Sequence, residues 1–224
     1  QTSVRHNHTE ETLSLVDVSD NQLGGSLDER FVVQFAQVQS LRFKRCDLLS
    51  VCGVSFASLE HLTVLDLSGN QLETFNVSLL PASLQELDLS SNQLRTIVTS
   101  SQNDDDDDGA ITNLSQLTSL DVSNNALTSL DDVLISCERL RSFRCHHNKL
   151  TVFPPIFLAS SQPSLQLLDG AQNQIVSSQS SSSSSIIDLS KYSKLQTISL
   201  GLNRIISMPC ISMSVTRLDL SSNK

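Results

Sequence analysis

No stretch of this 224-residue chain approaches the roughly 18 consecutive apolar residues that a membrane-crossing helix requires. Basic residues are scarce as well. Fifteen Lys and Arg stand against 24 Asp and Glu, a net charge of −9, which argues against nucleic acid as a main partner because phosphate binding needs a basic face. No secretory leader opens the chain, which begins at Gln1 rather than at an initiator methionine and stops at Lys224, four residues into a repeat. The expectation is a piece of a longer protein. Catalytic signatures are missing too: Gly53–Ala57 reads GVSFA and lacks the second glycine of a nucleophile elbow, and there is neither a phosphate-binding Walker loop nor an HExxH pair. Neither an enzyme nor a bound cofactor is expected.

What the chain does have is repetition. Residues 62–72 read LTVLDLSGNQL and residues 84–94 read LQELDLSSNQL, both of the form LxxLxLxxNxL, with the asparagines 22 residues apart. Taking that asparagine as marker, the phrase recurs at Asn21, Cys46, Asn70, Asn92, Asn125, Asn148, Asn173, Asn203 and Asn223. The intervals are 25, 24, 22, 33, 23, 25, 30 and 20. The three apolar positions before each marker are filled from Leu13, Val16 and Val18 through to Val215, Leu218 and Leu220, and only Gly170 breaks the series. Leucines alternating across LxL belong to a strand with one buried face. An asparagine where the chain leaves the strand offers an amide to the backbone of the neighbouring coil.

On these nine phrases the chain resembles the leucine-rich-repeat family over nearly all of its length. The resemblance implies an α/β solenoid, read here as one domain, 1–224, of about nine repeats, curved as a right-handed superhelix. Strands stack about 4.8 Å apart whereas packed helices need about 8–10 Å, so the sheet is expected on the concave side, with short helices, 3₁₀ turns and loops on the convex side. On that side Ser26–Glu29 reads as a capping box opening a helix near 27–37, and Ser129–Asp132 repeats the idea. Pro81, Pro154, Pro155, Pro163 and Pro209 suit 3₁₀ turns or extended links. Two insertions, holding Asp104–Asp108 and the serine run 177–185, read as solvated spacers outside the sheet rather than as a calcium loop or a regulatory segment.

Compartment is argued from cysteine. Extracellular members usually cap their ends with cysteine clusters, and neither end here carries one. Five cysteines at unrelated spacings read as reduced thiols in an intracellular, cytoplasmic setting. Three glycosylation sequons, at Asn7, Asn76 and Asn113, are the number that chance gives among 13 asparagines in a Ser- and Thr-rich chain. Cys145-His146-His147 resembles a metal cluster only until register is applied, since Cys145 points inward and His146 outward. His6 and His8 read as frayed chain, so no metal site is expected.

The same register names the candidate binding face. Four residues before each marker the outward column reads Asp17, Arg42, Asp66, Asp88, Asp121, Arg144, Asp169, Ser199 and Asp219. The flanking column reads Ser19, Lys44, Ser68, Ser90, Ser123, His146, Ala171, Gly201 and Ser221. Arg42 is expected between Asp17 and Asp66, and Arg144 between Asp121 and Asp169. Asp66, Asp88 and Asp121 then form an acidic strip between basic spots at Arg42, Lys44 and Arg45 and at Arg141, Arg144, His146 and His147. Aspartate in this column is also ordinary wording for the family. The resemblance implies a scaffold or adaptor whose concave face binds another protein, most like the intracellular phosphatase regulators and cytoskeletal or ciliary adaptors. The alternatives are a receptor ectodomain and the substrate-recruiting arm of an enzyme complex.

Overall fold

The computed structural model describes residues 13–51, 54–98, 114–134, 137–152, 164–177 and 187–224. Nine three-residue strands form one parallel sheet in chain order: Leu15–Asp17, Ser40–Arg42, Val64–Asp66, Glu86–Asp88, Ser119–Asp121, Ser142–Arg144, Leu167–Asp169, Thr197–Ser199 and Arg217–Asp219. Each contributes its middle residue to the interior, and Leu41, Leu65, Phe143, Leu168 and Ile198 are fully buried. The apolar positions on either side join them, as Leu62 and Leu67 do around Leu65, in one continuous core. At roughly 1.5–3 kcal/mol for each large apolar side chain buried, no single coil holds itself together and the stack does. Gly170, the one break in the pattern, has a packing reason: a Cβ there would lie 3.1 Å from Leu200 Cδ2.

The marker asparagines stitch the coils. Asn92 Nδ2 donates to Leu89 O in its own coil and to Leu67 O in the preceding one, both at 3.0 Å, while its Oδ1 accepts the N–H of Leu72 at 3.1 Å. The same three-way pattern recurs at Asn125, Asn148, Asn173 and Asn203. Just before each marker the backbone turns through the left-handed region, at Asp20, Arg45, Gly69, Ser91, Asn124, His147, Gln172, Leu202 and Ser222, with φ from 52° to 69°. Only one of the nine is glycine. The stacked hydrogen bonds impose this conformation on residues that avoid it, at a cost of roughly 1–2 kcal/mol apiece.

The outer side departs from expectation in detail. In place of a helix near 27–37 there is one turn, Glu29–Val32, followed by a 3₁₀ turn, Val33–Phe35. Ser26 is not the cap. It lies in a two-residue strand, Gly25–Ser26, paired with Leu48–Ser50, and Asp28 Oδ1 accepts the N–H of Arg30 instead. Short ladders of this kind also join Thr74–Asn76 to Thr96–Val98, Val176–Ser177 to Arg204–Ile205, and Asp188–Leu189 to Cys210–Ile211. A second helical turn, Asp131–Leu134, begins within the other capping phrase, and 3₁₀ turns cover Phe56–Ser58 and Val77–Leu79, the latter running into Pro81. Pro154, Pro155, Pro163, the aspartate run and most of the serine run lie outside the described residues, as do Asn7, Asn113, His6, His8 and Cys52. Among the described residues no helix is long and apolar enough to cross a membrane.

Candidate functional site

The outward column stands as register predicts. Asp17, Arg42, Asp66, Asp88, Asp121, Arg144, Asp169, Ser199 and Asp219 are successive partners across the nine strands. At its centre lies an open depression of about 210 Å³, lined by Arg42, Asp66, Asp88, Asp121 and Arg144 together with Glu86 and Ser119 from the adjoining column. Sheet order alone brings the acidic strip and its two flanking arginines into one concavity.

Each aspartate has two jobs. Oδ1 accepts the N–H of the residue two places on, at 2.9 Å in Asp66, Asp88 and Asp121, and so closes the turn at the end of the strand. That is the ordinary role of aspartate here. The second oxygen of these three makes no hydrogen bond among the described residues and is left for other work. Burial holds the Asp88 carboxyl above its ordinary range, against the pull of hydrogen bonds from Ser90, and the charges of Asp121 and Asp66 push the same way. A cation brought to this point would relieve what two neighbouring carboxylates impose.

The flanking column corrects the outward reading. Ser68 and Ser123 are buried, with their hydroxyls turned back onto Asp66 Oδ1 and Asp121 Oδ1 at 2.6 Å. Gly201 is buried as well, with Ser221 packed close against it. The chain has already left the strand at these positions, so strict alternation no longer applies. Lys44 and His146 are partly buried.

Arg42 stands between Asp17 and Asp66 and Arg144 between Asp121 and Asp169, as expected, but adjacency does not make an ion pair of each. Arg42 meets Asp17, Nη1 to Oδ2 at 3.9 Å, but pairs with none of the three carboxylates of the strip. Arg45 is diverted from the first basic spot: from its left-handed position it reaches Asp20, Nη2 to Oδ2 at 2.8 Å. Arg144 makes no ion pair among the described residues; instead the neighbour of Asp169 is His146, whose buried Nδ1 lies 3.2 Å from Oδ2 but off the line of a ring N–H bond. Register fixes which backbones are adjacent, whereas each rotamer decides which heads meet. Of the outward apolar residues, Leu15 and Leu202 are about half exposed and Val64 and Leu167 are partly covered.

Cys46, Cys137 and Cys145 are buried free thiols and Cys210 is an exposed one. Burial pushes the Cys137 thiol up to about 12 and raises that of Cys145 further. Among the described residues no cluster of His, Cys, Asp or Glu is arranged to hold a metal ion.

Comparison with known proteins places the repeats. Residues 36–94 match the family model for leucine rich repeats. No curated protein matches the sequence. Among solved structures the fold is similar to the leucine-rich-repeat domain of APL1B, at a TM-score of 0.70 and 20% identity over 95% of this chain and 55% of that one. It is similar to an internalin from Listeria monocytogenes, at 0.66 and 20% over 94% and 55%. It is also similar to the Arabidopsis receptor kinase HAESA, solved with the peptide hormone IDA and the co-receptor SERK1, at 0.67 and 19% over 95% and 34%. The chain thus spans about half the length of the first two.

Proposed function

Because this chain is a leucine-rich-repeat solenoid, we propose that it is an interaction scaffold whose concave sheet face binds another protein. The observation that carries this reading is the central depression, where three carboxylates, each with one oxygen that makes no hydrogen bond among the described residues, lie between two arginines that form an ion pair with none of the three. Such a face orients a charged partner and speeds its association more than it adds raw affinity. No bound cofactor is invoked, and with its acidic balance the chain is read as a binder of protein rather than nucleic acid. We place it inside the cell, as a cytoplasmic adaptor; the four described cysteines, all free and three of them buried, support that compartment.

The test is Asp88→Lys in the 1–224 chain. The substitution leaves the leucine core untouched but removes the acceptor that Asp88 Oδ1 offers the Ser90 N–H, at a cost of about 0.5–1.5 kcal/mol. Binding is therefore compared under conditions where both proteins are fully folded. Association with a captured protein partner should slow by about tenfold or more at low ionic strength and recover toward wild type in salt. Equal association at low salt removes the acidic strip as the site.

A second reading is the ligand-binding ectodomain of a receptor, favoured by the similarity in fold to HAESA, whose structure holds a peptide hormone. Asn76 is the one sequon within the described residues, and its Oδ1 is engaged by the Ser78 N–H and hydroxyl at 2.9 and 2.8 Å. A glycan found at Asn76 in protein from its native source would decide for the ectodomain. The recruiting arm of an enzyme complex would use the same face and predicts a catalytic subunit among the captured partners.

A further inference from the structure

We propose that the concave depression receives one helix of a partner protein, lying along the row of strands, with basic residues on three successive turns opposite Asp66, Asp88 and Asp121 and acidic residues one turn outside them, opposite Arg42 and Arg144. This rests on the reading of that face as a protein-binding surface and adds the form and charge order of the occupant.

Spacing selects the helix. Asp66, Asp88 and Asp121 lie on consecutive paired strands, so the outer two are two strand steps apart, about 9.6 Å at about 4.8 Å a step. A helix laid along that direction brings a side chain back to the same face once per 5.4 Å turn, or about 10.8 Å over two turns. Lysine and arginine side chains flex enough to absorb a difference of about 1 Å. An extended segment presents same-side residues about 6.7 Å apart and covers about 13.4 Å in two such steps, nearly one strand out of register. From Arg42 to Arg144 there are four steps, about 19 Å, against about 22 Å for four helical turns and about 27 Å for eight extended residues. A segment running parallel to the strands would meet only one charged position of the column.

The charge order fixes the rest. The lining reads plus, minus, minus, minus, plus from Arg42 to Arg144, so a helix of uniform charge is rejected at one part of the groove or the other. The complementary helix carries basic residues near i, i+4 and i+7 and acidic residues near i−4 and i+11. The depression has room for side-chain ends rather than for a helix body about 10 Å across, so the helix rides on the rim and only its charged heads enter.

The probe is a synthetic helical peptide of roughly 22 residues, four turns and their flanks, with lysines at i, i+4 and i+7 and glutamates at i−4 and i+11. Its control has the same composition with lysines at i, i+2 and i+4. Titrated by fluorescence anisotropy against the 1–224 chain at low salt, the helical register should bind at least about tenfold tighter than the control and gain helicity by circular dichroism. Asp88→Lys should lose about tenfold for that peptide and regain it when the peptide's central lysine becomes glutamate. Matching far-ultraviolet circular dichroism spectra at the assay temperature, well below either unfolding transition, exclude a folding defect.

Equal binding of the two peptides, or tighter binding of the control, overturns the helix. So does failure of both peptides while a protein partner still depends on Asp88, an outcome that leaves the face intact as a binding surface. A protein partner indifferent to Asp88→Lys removes the face itself, and the helix with it.

Discussion

Asn70 is the most heavily bonded side chain of the ladder and gives the sharpest test of how the coils are held. Its Nδ2 donates to Phe43 O and Leu67 O, each at 2.8 Å, and more weakly to Ser68 O at 3.4 Å. Its Oδ1 accepts the N–H groups of Cys46 at 3.0 Å and Leu48 at 3.1 Å, and the residue is 5% exposed. Asn70→Ala removes all five bonds and strands two backbone donors where water has little access. Each unsatisfied buried donor costs about 1–3 kcal/mol, so the substitution should cost about 3–5 kcal/mol, at the upper end for a single change. Asn21 is the internal control: it is exposed, and among the described residues its side chain bonds only within its own coil, to Val18 O at 2.9 Å and Ser19 O at 3.2 Å, so Asn21→Ala should cost about 0.5–1 kcal/mol. Cys46 shows how a coil manages without the amide: its thiol reaches Val18 O at 3.2 Å, and the Leu23 N–H turns to the Cys46 carbonyl at 3.2 Å. Urea unfolding followed by far-ultraviolet circular dichroism reads both variants, with hydrogen exchange at Leu48 as a local reporter. Costs within about 1 kcal/mol of each other would refute the ladder as a source of stability beyond what any turn asparagine supplies.

Three further outcomes are expected. Gly69→Ala places a methyl 2.8 Å from Arg45 Cγ at a φ of 69° and should lose about 1 kcal/mol or more, whereas Leu202→Gly, at a half-exposed residue with φ 55°, should gain about 0.5–1 kcal/mol in denaturant unfolding. Asp88→Asn keeps an acceptor for Ser90 and removes a carboxyl whose folded pKa is raised. Wild-type stability falls as pH rises from the ordinary carboxylate value to that raised one, so the variant's advantage should grow across this window and level off above it; an advantage that shrinks with pH would contradict the burial cause. Brief alkylation of native protein should label Cys210 and spare Cys46, Cys137 and Cys145, and label at either of the last two in folded protein, read by peptide mass, would show that they are not held in the core.

The nine repeated phrases determined the register of the sheet, and with it the column from Asp17 to Asp219, because a strand alternates its side chains and each coil repeats the pairing of the last. The acidic strip at Asp66, Asp88 and Asp121 was therefore legible from spacing alone. Tertiary structure decided everything that depends on how one coil presses on the next. It turned Ser68 and Ser123 inward onto their aspartates, sent Arg45 to Asp20, and left Arg144 without an ion pair among the described residues while His146 settled beside Asp169. It forced Leu202 and His147 into a left-handed turn that their own preferences oppose, and it drew Ser26 out of its capping box into a ladder with Leu48–Ser50. The serine contacts are local, two residues along the chain; the Arg45, His146 and Ser26 contacts join residues a full coil apart, and their geometry follows from the spacing and packing of neighbouring coils, which no local pattern encodes. Local sequence fixed which face each residue was offered to; the stack fixed what each one met there.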